Sequence, residues 1–169
     1  PRLSSAASDV YKRQGHFSGV YRIVKFLFEI LEPNYAYFGK KDFQQLLLIK
    51  YIANTYFPKL KIIDVDTVRD SNNIALSSRL SKVSYESIHQ VKLIFQTLMT
   101  MKKKLLSGLE YNAVKESSLL DLEDNNISVE YLDLRRLDTL KEQVNINHPC
   151  GIFIACYIDN IRLIDNIEI

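Results

Sequence analysis

Tyr35-Ala36-Tyr37-Phe38-Gly39-Lys40-Lys41-Asp42-Phe43-Gln44-Gln45-Leu46 is the stretch on which the reading of this chain turns. A short apolar run after Pro33-Asn34 predicts a buried strand over Tyr35–Phe38. Gly39 breaks it, Lys40, Lys41 and Asp42 make a tight loop, and Phe43, Leu46, Leu47 and Ile49 open an apolar repeat at helical spacing. The expected order is strand, loop, helix, with the helix over residues 42–57 and Asp42 placed to cap it. Glycine at 39 frees the backbone for conformations other residues resist and lets a ligand come close. Two lysines at a helix start, where free backbone N–H groups gather, suit a phosphate-bearing ligand. The same residues also describe an ordinary solvated turn.

Working outward, Val20, Ile23, Val24, Leu27, Phe28 and Leu31 recur at helical spacing up to Pro33, which stops that helix. Downstream, Leu60-Lys61-Ile62-Ile63-Asp64-Val65 is rich in β-branched residues and reads as a strand. Helix, strand, helix, strand at these lengths implies parallel strands joined by right-handed crossovers. Ligands of such sheets bind at the carboxyl ends of the strands. Gly39–Asp42 and Thr67–Arg69 both follow such ends and are expected to converge. Residues 71–83 are irregular, with a turn at Ser71-Asn72-Asn73. A helix follows from Ser84 to near Gly108, and another over 110–120, broken by Asp124-Asn125-Asn126. Strands are expected at Ile127–Leu134, Ile152–Tyr157 and Ile161–Ile164, the last two joined through the hairpin dipeptide Asp159-Asn160. The chain thus divides into an α/β part over 15–67 and a small α+β part with an antiparallel sheet over 68–169.

The 169 residues are 47% apolar, enough for a real core, and 22 basic against 20 acidic residues leave a net charge of +2. That balance argues against a nucleic-acid partner, and no apolar run is long enough to cross a bilayer. Cys150 and Cys156 make no disulfide framework, and His148 beside them completes no zinc site. Reduced thiols and a cytoplasmic location are the expectation. Residues 1–14 are small and polar at first and carry no secretory signal. Asp9-Val10-Tyr11-Lys12-Arg13-Gln14 resembles translated sequencing adaptor, so 1–14 read as an artefactual leader, with a natural tail as the alternative.

Four segments, in order, carry a resemblance. Tyr37-Phe38-Gly39-Lys40-Lys41-Asp42-Phe43-Gln44-Gln45-Leu46 is similar to a Tyr/Phe-Phe-Gly-x-Lys-Asp-x-Gln-Gln-Leu run. Thr67-Val68-Arg69 and then Ile74-Ala75-Leu76-Ser77-Ser78-Arg79 are similar to Pro-Thr-Val-Arg and Leu-Ala-Met-Ser-Ser-Arg-Asn. Gly15-His16-Phe17-Ser18-Gly19-Val20 and Arg162-Leu163-Ile164-Asp165-Asn166-Ile167 match at the two ends. Together they resemble the pantothenate synthetases, the pantoate–β-alanine ligases of the nucleotidyltransferase superfamily.

The resemblance implies an α/β fold, the second half of a Rossmann-like nucleotidyltransferase domain followed by a small lid-like α+β domain. It implies ATP-dependent adenylation of pantoate, release of pyrophosphate, and displacement of AMP by β-alanine, with Mg2+ carried on the phosphates. Gly39, Lys40, Lys41 and Asp42 match the ATP-contacting loop, and Gln45 matches a pantoate-binding glutamine, an amide that both donates and accepts. Val68 matches a backbone contact to adenine. Leu76, Ser77, Ser78 and Arg79 match a loop that handles the departing pyrophosphate. The family also implies a homodimer. Lys40 stands where glutamate is common, Asp66 where proline is usual, Asn73 in place of glycine and Leu80 in place of asparagine. The His-x-Gly-His motif of the family's N-terminal half is not formed by His16, His89 or His148, so this chain alone is expected to be inactive. Two other readings are another adenylyltransferase of the superfamily, which Gln44-Gln45 and the terminal motif oppose, and a non-catalytic binding or dimerisation module.

Overall fold

Two hydrophobic cores form, one on each side of the peptide bond after Thr67, and they divide the chain into two compact units. The computed structural model describes residues 14–169, with side chains from residue 15. The expected leader therefore lies outside the described residues, except that the backbone of Gln14 already belongs to the first helix.

In the first unit, α1 (Gln14–Leu31) ends just before Pro33. Its last turn closes with the Glu32 N–H donating to the Phe28 carbonyl at 3.1 Å. Strand β1 (Tyr35–Gly39) runs into a 3-10 turn over Lys40–Asp42, then α2 (Phe43–Tyr56), then β2 (Lys61–Val65). β1 and β2 pair in parallel, from Tyr35 opposite Lys61 to Gly39 opposite Val65, as a strand–helix–strand unit requires. The core gathers Phe28, Ile49, Ile52, Ala53 and Leu60. Phe28 meets Phe38 and Phe57 edge-on, with centroids 6.4 and 5.6 Å apart.

Strand β1 is not the buried strand its composition suggests. Ala36 and Phe38 pack on the core, but Tyr35 and Tyr37 point the other way, Tyr37 at 68% exposure. Side chains alternate across a strand, and α1 and α2 pack on the core on one side only. Asp42 occupies the position before α2, yet its carboxylate makes no capping bond there. Its backbone (φ −94°, ψ 62°) has left the extended geometry that aims a capping oxygen at the helix.

In the second unit, residues 68–87 lead through a 3-10 turn (Leu80–Lys82) to α3 (Ile88–Leu106) and α4 (Tyr111–Asp124). Gly108 ends the first helix at φ +88°, the left-handed geometry glycine supplies at helix ends. β3 (Ser128–Arg136), β4 (Cys150–Ile158) and β5 (Ile161–Glu168) form an antiparallel sheet in that order. The β4–β5 hairpin turns on Asp159 and Asn160 at φ 51° and 61°, the positive pair that a two-residue turn needs.

Leu98, Met101, Leu132, Leu134, Ile152 and Ile154 are sealed between helices and sheet. Gly151 lies where a Cβ would come within 2.9 Å of the Ile167 carbonyl oxygen, so β5 closes over it. Cys150 and Cys156 are free and buried, and burial pushes the Cys156 thiol up to about 12. Both are core residues with no reactive thiolate. No helix among the described residues is long and apolar enough to cross a membrane.

Candidate functional site

The carboxyl ends of β1 and β2 bring Gly39 beside Val65, and continuing the parallel register sets Lys40 opposite Asp66. Their side chains pair at 2.8 Å. One step back, Asp64 on β2 accepts from Lys50 of α2 at 2.6 Å. Lys41 is half-buried in the 3-10 turn, and Gln45 lies half-buried in the first turn of α2. Lys41, two residues before α2, and Gln45, in its first turn, both lie at the N-terminal end of that helix. Gly39 itself has φ −74° and ψ 136°, ordinary extended backbone, and a Cβ there would meet nothing within 4 Å. The conformational argument for this glycine is therefore overturned. What remains is the open space above it, which a ligand can enter.

The second unit opens with a tightly folded segment. The Leu76 N–H donates to the Val68 carbonyl at 2.9 Å, and Arg69 bridges Ala75 in antiparallel fashion. Asp70 Oδ1 accepts from the N–H groups of Asn72 (2.8 Å) and Ile74 (2.9 Å), an Asx turn that closes the tip. Ile74 and Ala75 are buried, whereas Val68 and Leu76 stand exposed side by side. Two exposed aliphatic groups beside backbone polar groups suit a flat, apolar, hydrogen-bonding face such as a base. Ser77, Ser78 and Arg79 follow, and their carbonyls accept from the Leu80 N–H, the Ser81 hydroxyl and the Lys82 N–H at 3.2, 3.0 and 3.1 Å. That leaves the hydroxyls and guanidinium of 77–79 on a shaped turn.

Arg69 moors this segment. Its guanidinium forks onto Asp165 of β5 at 2.7 and 2.8 Å, donates to the Asn73 carbonyl at 3.1 Å, and lies 4.0 Å from the Phe95 ring centroid. The side chain of Asp165 is only 4% exposed. The pair ties together two of the motifs read in the sequence, Thr67-Val68-Arg69 and Arg162–Ile167. Neither residue has a role in the sequence reading, and their separation of 96 residues leaves no local signal.

Each departure from the family pattern has a structural account. Asn73 sits at φ 63°, a left-handed position that asparagine tolerates and glycine would fill at no cost. Leu80 packs against the core of the second unit. Asp66 is paired with Lys40. The structure thus gathers Gly39, Lys40, Lys41, Asp42 and Gln45 at one end of the first unit, and Val68, Leu76, Ser77, Ser78 and Arg79 on one segment of the second. Among the described residues, no group of three or more His, Cys, Asp or Glu side chains could hold a metal ion.

A parallel strand–turn–helix with lysines at its carboxyl edge, followed by a small antiparallel domain, defines an α/β protein, and sheets of this kind take ligands at the carboxyl ends of their strands. The crystal structure of pantothenate synthetase from Thermus thermophilus superposes with a TM-score of 0.87 at 28% identity, over 95% of this chain and 58% of that one. Pantoate-beta-alanine ligase from Francisella tularensis, complexed with beta-gamma ATP and beta-alanine, superposes with a TM-score of 0.71 at 30% identity, over 99% of this chain and 56% of that one. Pantothenate synthetases of Leptospira interrogans and Flavobacterium psychrophilum are 35% identical over 159 residues and 36% identical over 160. Each alignment covers 93% of this chain and 56% of the relative, so the chain spans about half the length of these relatives. The sequence model of the Pantoate-beta-alanine ligase family matches residues 3–168. The chain belongs to the Pantoate-beta-alanine ligase family. The match begins inside the stretch expected to be a leader.

Proposed function

We propose that this chain carries the C-terminal share of an ATP-dependent pantoate–β-alanine ligase. The observation that carries the reading is the turn at the carboxyl end of β1, which presents Lys41 and, one helical turn on, Gln45. In the reaction the pantoate carboxylate oxygen attacks the α-phosphorus of ATP, and the bond to the β-phosphate oxygen breaks, releasing pyrophosphate. The amine of β-alanine then attacks the acyl carbon, AMP leaves, and the amine proton goes to solvent. Neither step needs a protein nucleophile. Both need aligned reactants and neutralised phosphate charge.

Gly39, Lys40, Lys41 and Asp42 form the phosphate loop in this reading, with Lys41 the cation facing the β- and γ-phosphates and Gln45 binding pantoate. Val68 offers its backbone to adenine, with Leu76 beside it. Ser77, Ser78 and Arg79 receive the departing pyrophosphate. Mg2+ arrives with ATP. The protein acts in the cytoplasm as a homodimer, without nucleic-acid or membrane partners, in keeping with its near-balanced charge.

The test is pantoate-dependent exchange of pyrophosphate into ATP. The 169-residue chain is expected to give none. The chain extended with the N-terminal half of the Leptospira interrogans relative is expected to exchange, and Lys41→Ala in it to lower the rate about 10²- to 10³-fold, as for loss of one charge-stabilising group. Full exchange by the Lys41→Ala variant would contradict this reading.

A further inference from the structure

We propose that Asp66 is an internal competitor for the phosphate loop: it holds the Lys40 ammonium, so that a triphosphate must displace a carboxylate before Lys40 can serve it. This rests on the assignment of Gly39–Asp42 to phosphate binding. The parallel register puts Gly39 opposite Val65, and the next residues on each strand, Lys40 and Asp66, pair at 2.8 Å. The Asp66 side chain is 89% exposed and that of Lys40 is 27% exposed, so the carboxylate comes to the ammonium from the solvent side, the direction from which a ligand would approach. Asp64 is the other carboxylate on this end of β2, and it is engaged by Lys50 at 2.6 Å.

By the resemblance given above, Lys40 stands where glutamate is common and Asp66 where proline is usual. The two departures stand opposite each other with opposite charge. An exposed pair of this kind adds little to stability. Its consequence is electrostatic: the carboxylate occupies the ammonium and sets a negative charge beside the incoming anion. Freeing one ammonium to face a bound anion about 4 Å away in water strengthens binding about fivefold per unit of anion charge faced.

The test titrates the full 169-residue chain with inorganic triphosphate and with ATP by calorimetry, at low and high salt. It compares wild type, Asp66→Asn, Lys40→Met, the double variant and Lys41→Ala. Asp66→Asn is expected to bind both anions about fivefold more tightly, with the gain shrinking at high salt. Lys40→Met is expected to bind no more tightly than wild type and to erase most of that gain in the double variant. No gain from Asp66→Asn, or an equal gain with Lys40→Met present, overturns the proposal. Loss of binding by Lys41→Ala bears separately on the phosphate-loop assignment. If neither anion binds any variant, that assignment fails, and amide exchange still decides the pairing. Faster exchange of the Lys40–Asp42 amides in Asp66→Asn supports the latch, and unchanged exchange removes it.

Discussion

Strand β4 of the second unit is buried at eight of its nine positions, whereas β1 and β2 of the first unit have no fully buried residue. The difference follows from how the two sheets are made. The antiparallel sheet is completed within a single stretch of chain, by the connection over residues 137–149 and the two-residue turn at Asp159-Asn160, and α3 and α4 pack on it to seal the core. A parallel pair must be joined by a crossover helix, and such sheets are normally covered on both faces. Here Ala36, Phe38 and Ile62 join the helical core, while Tyr35, Tyr37, Ile63 and Val65 remain exposed. On α1, Ile23, Phe26, Leu27, Ile30 and Leu31 remain exposed as well. Two strands fall short of what an independent sheet needs, and the chain spans about half the length of its relatives. With this much apolar surface exposed, the first unit is expected to open at lower cost than the second.

The sharpest way to break that contrast is to empty one core and then the other. Leu134 and Ile49 are both fully buried, in the second and first unit respectively. Leu134→Ala is expected to lower the main denaturant transition by about 3 kcal/mol, through lost transfer energy and the cavity left behind. Ile49→Ala is expected to move the same transition by less than about 1 kcal/mol, because its unit opens at lower cost beforehand. Equal shifts would show one cooperative structure.

Next in size is the mooring of the segment that opens the second unit. Arg69→Ala leaves the Asp165 carboxylate buried and without its fork. A loss of about 3 kcal/mol in the second unit is expected, the usual consequence of removing one partner of a buried pair. Arg69→Lys keeps the charge and loses the fork, and its melting temperature should fall in between. A neutral Arg69→Ala would show that the segment is held by other contacts.

Smallest is the acid response. The Ser84 N–H and then the Ser87 hydroxyl hold Asp159 below the usual carboxylate range, and the N–H groups of Asn112 and Ala113 do the same for Glu110 at the start of α4. A folded-state value below the unfolded one gives stability that is full above the unfolded value, near pH ~4. That stability is lost as pH falls through the folded value. The melting temperature of the second unit should therefore drop below about pH 4, and Asp159→Asn should flatten that drop. An identical pH profile in the variant would remove Asp159 from the account.

Much of this architecture was legible because its signals are local. The break at Gly39, the stop at Gly108 and the Asp159-Asn160 turn each declare themselves within a few residues, and the strands and helices between them followed. The β3–β5 boundaries ran longer than the apolar runs because sheet pairing extends through polar residues such as Arg135, Asn166 and Glu168. Legibility failed where a property depends on partners distant in sequence. The open face of β1 depends on what covers it, and the absent cap at Asp42 on the backbone path into α2. The Lys40–Asp66 and Arg69–Asp165 pairs depend on strand register and on the docking of β5. The candidate site's residue types were named from motifs, but their engagement with one another could not be.

Native-state hydrogen exchange on the 169-residue chain tests the contrast between the units most directly, because it reports the opening free energy of each strand separately. Amides of β4 are expected to exchange only through global unfolding, while amides joining β1 to β2 exchange at least about a hundredfold faster, a gap of roughly 3 kcal/mol. Equal protection of β1–β2 and β4 would contradict it, since the first unit would then be as self-sufficient as the second.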